Sequence, residues 1–131
     1  METTAKYEPN VKVASDAEDL ACRTVEFFVS AAHEALETRG VFYTALSGGG
    51  TPKRTFELIG TNPLTRSLPW QNIHVFWVDE RYVPSDSPFS NYRLAADAFL
   101  EKVPIPPDNV HPIPTDHRDI NDAARAYEGT I

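Results

Sequence analysis

The stretch Val41-Phe42-Tyr43-Thr44-Ala45-Leu46-Ser47-Gly48-Gly49-Gly50-Thr51-Pro52 decides the reading of this chain. An apolar run from Val41 to Leu46 ends abruptly in three glycines, with Thr51 as a good N-cap and Pro52 at a first helical position. That grammar predicts a strand, a tight backbone-exposing turn and a helix start. Glycines there let main-chain N–H groups approach a ligand closely. The helix start adds unpaired donors and about half an elementary positive charge, a seat for phosphate or another anion. One or two glycines are common in strand–helix turns, but three in a row between the Ser47 and Thr51 hydroxyls favour an anion site. The common nucleotide loops are excluded. GxxxxGK[ST] is absent, and no glycine stands where GxGxxG needs its third. A small phosphorylated metabolite fits better than a nucleotide.

A second signal is Ile73-His74-Val75-Phe76-Trp77-Val78-Asp79-Glu80-Arg81. Ile73 to Val78 is β-branched and aromatic, as a central parallel strand requires, and three charges follow at its carboxyl end. Ligands of open α/β sheets bind outside the carboxyl ends of the strands, so Ser47–Thr51 and Asp79–Arg81 are expected to line one crevice. The run Tyr82-Val83-Pro84-Ser85-Asp86-Ser87-Pro88-Phe89-Ser90-Asn91 is a loop able to fold over it. Ser90 or Asn91 would cap a helix running to about Leu100.

Outward from these segments, Ser15-Asp16-Ala17-Glu18 reads as a capping box opening a helix to Arg39, stopped by Gly40. Ala21, Val25, Phe28, Ala32 and Leu36 form its core stripe, and Cys22 is expected to be a packed core thiol. Met1 to Asn10 reads as a loose tail, Val11-Lys12-Val13 as a first edge strand and Pro52–Ile59 as a helix. Pro107-Asp108-Asn109 is a turn before a short strand at Val110-His111, and a last helix begins near Asp119. The alternation predicts one α/β domain over 11–131, a doubly wound, Rossmann-like parallel sheet with helices on both faces.

Composition bounds the function. The 131 residues are 41% hydrophobic and 24% charged, ordinary globular values. No apolar run is long enough to span a membrane, and the N-terminus does not read as a signal peptide. A single cysteine excludes an internal disulfide and suits a reducing, cytoplasmic setting. The net charge of −7 disfavours nucleic acid and anionic membranes, and it also repels phosphosugars at long range. Local donors must outweigh that field: Arg81, the loop amides and, less clearly, Lys53 or Arg54, which also read as solvated helix charges. His33, His74, His111 and His117 show no metal-ligand spacing and read as structural or solvent residues, so no metal or organic cofactor is expected.

The combination LSGGGTP, WVDERYVPSDSPFSNY and NVHPIP resembles the glucosamine-6-phosphate isomerase/6-phosphogluconolactonase family of sugar-phosphate enzymes, from about Val11 to Ile131. The resemblance implies a phosphate loop at Ser47, Gly48, Gly49, Gly50 and Thr51. It implies substrate contacts at Asp79 and Arg81, the catalytic candidates, with Ser90 and Asn91 in the loop beside them. It also implies hydrolysis of 6-phospho-D-glucono-1,5-lactone, a histidine base activating the water. Arg81 points to the lactonase branch, because the amino-sugar isomerases typically read Asp-Glu-Tyr here. Gly50 stands where many relatives carry serine, and Phe89 where a polar residue is common. The family's later Gly-x-Asp-Gly-His motif, source of the proposed base, does not occur in these residues. The chain therefore reads as a fold truncated at its C-terminus, inactive alone and prone to self-association through an exposed sheet edge. Two rivals are an amino-sugar-phosphate isomerase or deaminase with Asp79 as base, and a non-enzymatic sensor. The sensor reading expects a DNA-binding segment for which the residues before Val11 leave no space.

Overall fold

The computed structural model describes residues 6–131. Helix α1 (Ala17–Arg39) is capped by Asp16, whose carboxylate accepts the Asp19 N–H at 2.8 Å. Asp19 in turn accepts the Ser15 N–H at 2.8 Å, so the capping box lies one residue beyond the expected register. Gly40, at φ 75°, ends the helix as expected, its N–H donating to Leu36 O. Ala21, Val25, Ala32 and Ala35 are buried, and the Phe28 ring packs edge-on to Phe42 and stacks on Trp70. Cys22 corrects the sequence reading. It is exposed, because one residue of α-helix turns about 100° and carries it off the stripe through Ala21 and Val25.

Three parallel strands form the sheet: β1 (Phe42–Leu46), β2 (Ile73–Trp77) and β3 (Val110–His111), with β2 central. Side chains alternate between the faces. Ile73, Val75 and Trp77 are all but fully buried on one face. There they join Trp70, Phe56, Ile59 and Phe99 from the segments that cover it, including α2 (Gly50–Thr61) and α4 (Asn91–Ala95) with its wide π turn over Ala96–Leu100. Short helix α3 (Pro63–Arg66) buries Thr65, whose carbonyl accepts the Trp70 indole N–H at 2.9 Å.

The opposite face carries Tyr43, His74, Phe76 and His111. Helix α5 (Ile120–Thr130), capped by Asp119, meets it at one end. The Tyr127 hydroxyl accepts the Trp77 N–H at 2.8 Å and donates to His111 O at 3.0 Å, and burial pushes this phenol's pKa up. Beside it a hollow of about 850 Å³ stays open, and Tyr43 is 59% exposed.

Val11-Lys12-Val13 is not a strand. Val11 and Val13 are 72% and 83% exposed and pair with no edge of the sheet. β-branched residues supply propensity, but a strand exists only through its partner. Of the expected N-terminal tail, Met1–Ala5 lie outside the described residues, and 6–14 carry no regular structure.

Candidate functional site

Strand register builds the site. Leu46 lies opposite Trp77, and the Val78 N–H continues the ladder to Leu46 O at 2.9 Å. The glycine loop and the Asp79–Arg81 corner therefore leave the sheet side by side, at the carboxyl ends of β1 and β2, as the sequence implied.

The loop turns into its helix earlier than expected. Gly49, not Thr51, is the N-cap of α2, at φ 108° and ψ 178°, a conformation essentially confined to glycine. Pro52 consequently occupies the third helical position, where its missing N–H still costs nothing because first-turn donors have no helical partner. Asp16, Asn62, Ser90 and Asp119 cap the other α-helices with side-chain oxygens. Among the described residues α2 is the α-helix without a side-chain cap, so the Gly50 and Thr51 amides have no acceptor from the cap residue. Ser47, Gly49, Gly50 and Thr51 are exposed and Gly48 half-buried.

Gly48 is required for a different reason. A Cβ there would collide with the side-chain amide of Asn91. Asn91 is 5% exposed and donates from Nδ2 to Asp79 O at 3.3 Å, tying the loop's underside to the corner.

Glu80, which the sequence reading passed over, organises the corner. Its carboxylate accepts the Asn91 N–H at 2.7 Å, the Tyr92 N–H at 2.9 Å and the Arg81 N–H at 2.8 Å, and contacts Ser90 Oγ at 3.5 Å. Ser90 Oγ accepts the Arg93 N–H at 3.1 Å, making Ser90 the N-cap of α4. The available signal was an acid at a strand end followed, ten residues on, by a helix start needing acceptors. Ser90 and Asn91 are thus buried and committed within the protein, whereas Asp79 and Arg81 are exposed. Arg81 enters none of the ion pairs formed among the described residues. Arg54 does: it pairs with Glu18 at 2.8 Å and Glu57 at 3.2 Å, which removes it from the candidate phosphate donors.

The loop from Tyr82 to Phe89 is held at its start by the Tyr82 hydroxyl donating to His117 O and at its middle by the Arg93 guanidinium donating to Asp86 O. Phe89 is 70% exposed. The large hollow on the open sheet face touches none of the glycine loop. At its wall lies a histidine pair that sequence reading did not bring together. His74 Nδ1 and His111 Nε2 are 2.9 Å apart, with the rings near parallel and Phe76 stacked on His111. Burial, then the neighbouring His74 charge, hold the His111 pKa below the usual histidine range. The pairing follows from the β2–β3 register, which no local pattern announces.

Fold and site together define a parallel α/β protein in which a glycine loop at an uncapped helix start lies beside a charged corner, Asp79–Arg81, at the carboxyl edge of the sheet. Comparison with known proteins makes this specific: the chain belongs to the glucosamine-6-phosphate isomerase/6-phosphogluconolactonase family, matched over residues 15–131. It is 41% identical to the 6-phosphogluconolactonase of Nostoc sp. over 118 residues, 90% of this chain and 48% of that protein. The Synechocystis sp. 6-phosphogluconolactonase is 41% identical over 94% of this chain and 50% of its own length. Among solved structures, 6-phosphogluconolactonase from Trypanosoma cruzi superposes with a TM-score of 0.81 at 29% identity, over 96% of this chain and 50% of that one. The chain spans about half the length of these relatives.

Proposed function

We propose that this chain forms the phosphate-binding part of a 6-phosphogluconolactonase, which hydrolyses 6-phospho-D-glucono-1,5-lactone to 6-phosphogluconate in the oxidative pentose phosphate pathway. Relatives bearing that name over most of this chain support the reading. The observation that carries it is the α2 start, open where the other α-helices are closed by their own side chains. In this reading the substrate phosphate sits on the Gly49–Thr51 backbone, with the Ser47 and Thr51 hydroxyls at its rim. The helix start stabilises its charge. Arg81 supplies the cation that a chain of net charge −7 must place locally, and Asp79 orients it or the attacking group. Docking the phosphate holds the lactone carbonyl in place and lowers the entropic part of the barrier. Opening the ester then requires a base to activate water and donors for the tetrahedral oxyanion. The family's Gly-x-Asp-Gly-His motif is not among these 131 residues, so this part binds and orients while the base comes from elsewhere.

The same proposal places the chain in a reducing, cytoplasmic setting, consistent with one free thiol, and gives it neither nucleic-acid nor membrane partners on grounds of charge. None of its helices is long and apolar enough to cross a membrane, among the described residues. Self-association through the uncovered sheet belongs to it as well. The test is a calorimetric titration with 6-phosphogluconate and, separately, with gluconate, alongside amide shifts. Binding of the phosphorylated ligand alone, with shifts at Gly49, Gly50 and Thr51, is the expected result. Equal response to both ligands would overturn it.

A further inference from the structure

We infer that Glu80 is a positioning residue for the phosphate loop, acting on Gly48 through Asn91; this rests on the phosphate-binding reading above. Two segments converge on its carboxylate, the end of β2 through the Arg81 N–H and the start of α4 through the Asn91 and Tyr92 N–H groups, and a third is linked to them indirectly. The third is reached through Asn91 itself, whose side chain fills the space beneath Gly48 so fully that no Cβ fits there. Charge-assisted bonds from a carboxylate to backbone N–H groups are about twice as strong as neutral ones. Here they fix the backbone of Asn91, while the Nδ2 bond to Asp79 O fixes its side chain. The loop that must present the Gly49–Thr51 amides then rests on a support with one available position. Glu80 also supplies acceptors to the start of α4, which leaves the α2 start as the uncapped one of the two. Half-buried against Ser90 and Asn91, its carboxylate is taken up by backbone N–H groups and acts through those neighbours.

The experiment uses the 131-residue chain with 6-phosphogluconate as probe. Glu80→Gln keeps the shape but loses one accepting oxygen. It is expected to weaken binding about tenfold and to displace the Gly48, Gly49 and Gly50 amide resonances in the unliganded protein. Asn91→Ala leaves the backbone N–H groups on Glu80 but removes the side chain that joins Asp79 O to the underside of Gly48. It should reproduce the loss, and adding Glu80→Gln to it should weaken binding less than twofold further. A cap with a purely structural role would lower the melting temperature while leaving affinity and the glycine amides unchanged, and that result overturns the inference. Should the wild-type chain not bind the probe, the proposed function fails on its own. The glycine amide shifts of Glu80→Gln against wild type then still decide the coupling, unmoved resonances refuting it.

Discussion

Adjacent glycines in this loop are needed for unlike reasons, and substituting them one at a time separates the two. Gly49 has open space around it: a Cβ there would meet only Pro52 Cδ, at 4.0 Å. Its cost is therefore conformational. At φ 108° and ψ 178° any L-residue pays for a sparsely populated backbone region, about 1–3 kcal/mol. If the loop relaxes to escape that strain, phosphate affinity falls by the same amount, about 5- to 150-fold. Gly49→Val should exceed Gly49→Ala, because a β-branched side chain narrows the turn further. Gly48→Ala fails by collision instead. Its Cβ displaces the Asn91 amide and breaks the bond to Asp79 O, leaving a buried polar group unsatisfied at about 1–3 kcal/mol. Removing the obstacle distinguishes them. In an Asn91→Ala background, Gly48→Ala should add little to the loss already caused by Asn91→Ala, while Gly49→Ala should keep its full effect. Isothermal titration with 6-phosphogluconate, with circular dichroism to verify folding, measures each corner of the cycle. Gly49→Ala binding like wild type at unchanged melting temperature would refute the conformational argument. Equal effects of Gly48→Ala with and without Asn91 would refute the steric one.

Arg81→Ala should weaken binding of the phosphorylated ligand by about 1.5–3 kcal/mol, as loss of a charge-assisted contact does, while Lys53→Ala changes it by less than about 1 kcal/mol; equal losses in calorimetry would remove the special place of Arg81. The 131-residue chain alone should open the lactone slowly in a pH-stat, since lacking a general base commonly costs a factor of about 10²–10⁴. Its open sheet face, with Tyr43 59% exposed, should show as self-association in size-exclusion chromatography, and a monomer with turnover near that of a full-length lactonase would refute both expectations. The His111 pKa is depressed by folding, so the unfolded chain takes up its proton first. Its contribution is complete above the unfolded value near about 6.5 and is lost as pH falls through and below it. Thermal melts from pH 8 to 5.5 should therefore decline, and His111→Gln should flatten the slope; an unchanged slope would assign the dependence to other groups.

Local sequence determined most of the architecture. A triple glycine after an apolar run, a β-branched strand ending in charges, and Asp, Ser, Asn or Gly at helix boundaries act over a few residues, and such interactions are legible in a linear pattern. Hence β1, β2, the Pro107–Asn109 turn, β3 and the α5 start lie where the sequence implied them. Two readings, one that needed a partner strand and one that needed a helical phase accurate to one residue, did not survive. Val11–Val13 has strand propensity but no edge to pair with, and Cys22 misses the buried stripe by one step of the helix. Thr51 is a good cap by type, yet the helix begins earlier, with Gly49 at the cap position and Thr51 inside the first turn. Only the tertiary structure shows Glu80 beneath α4, Asn91 beneath Gly48, Arg54 held by Glu18 and His74 against His111. Each of these contacts joins residues 11 to 43 positions apart through strand register or helix packing. Their energetics depend on burial and on the direction of a hydrogen bond, neither of which exists until the chain is folded.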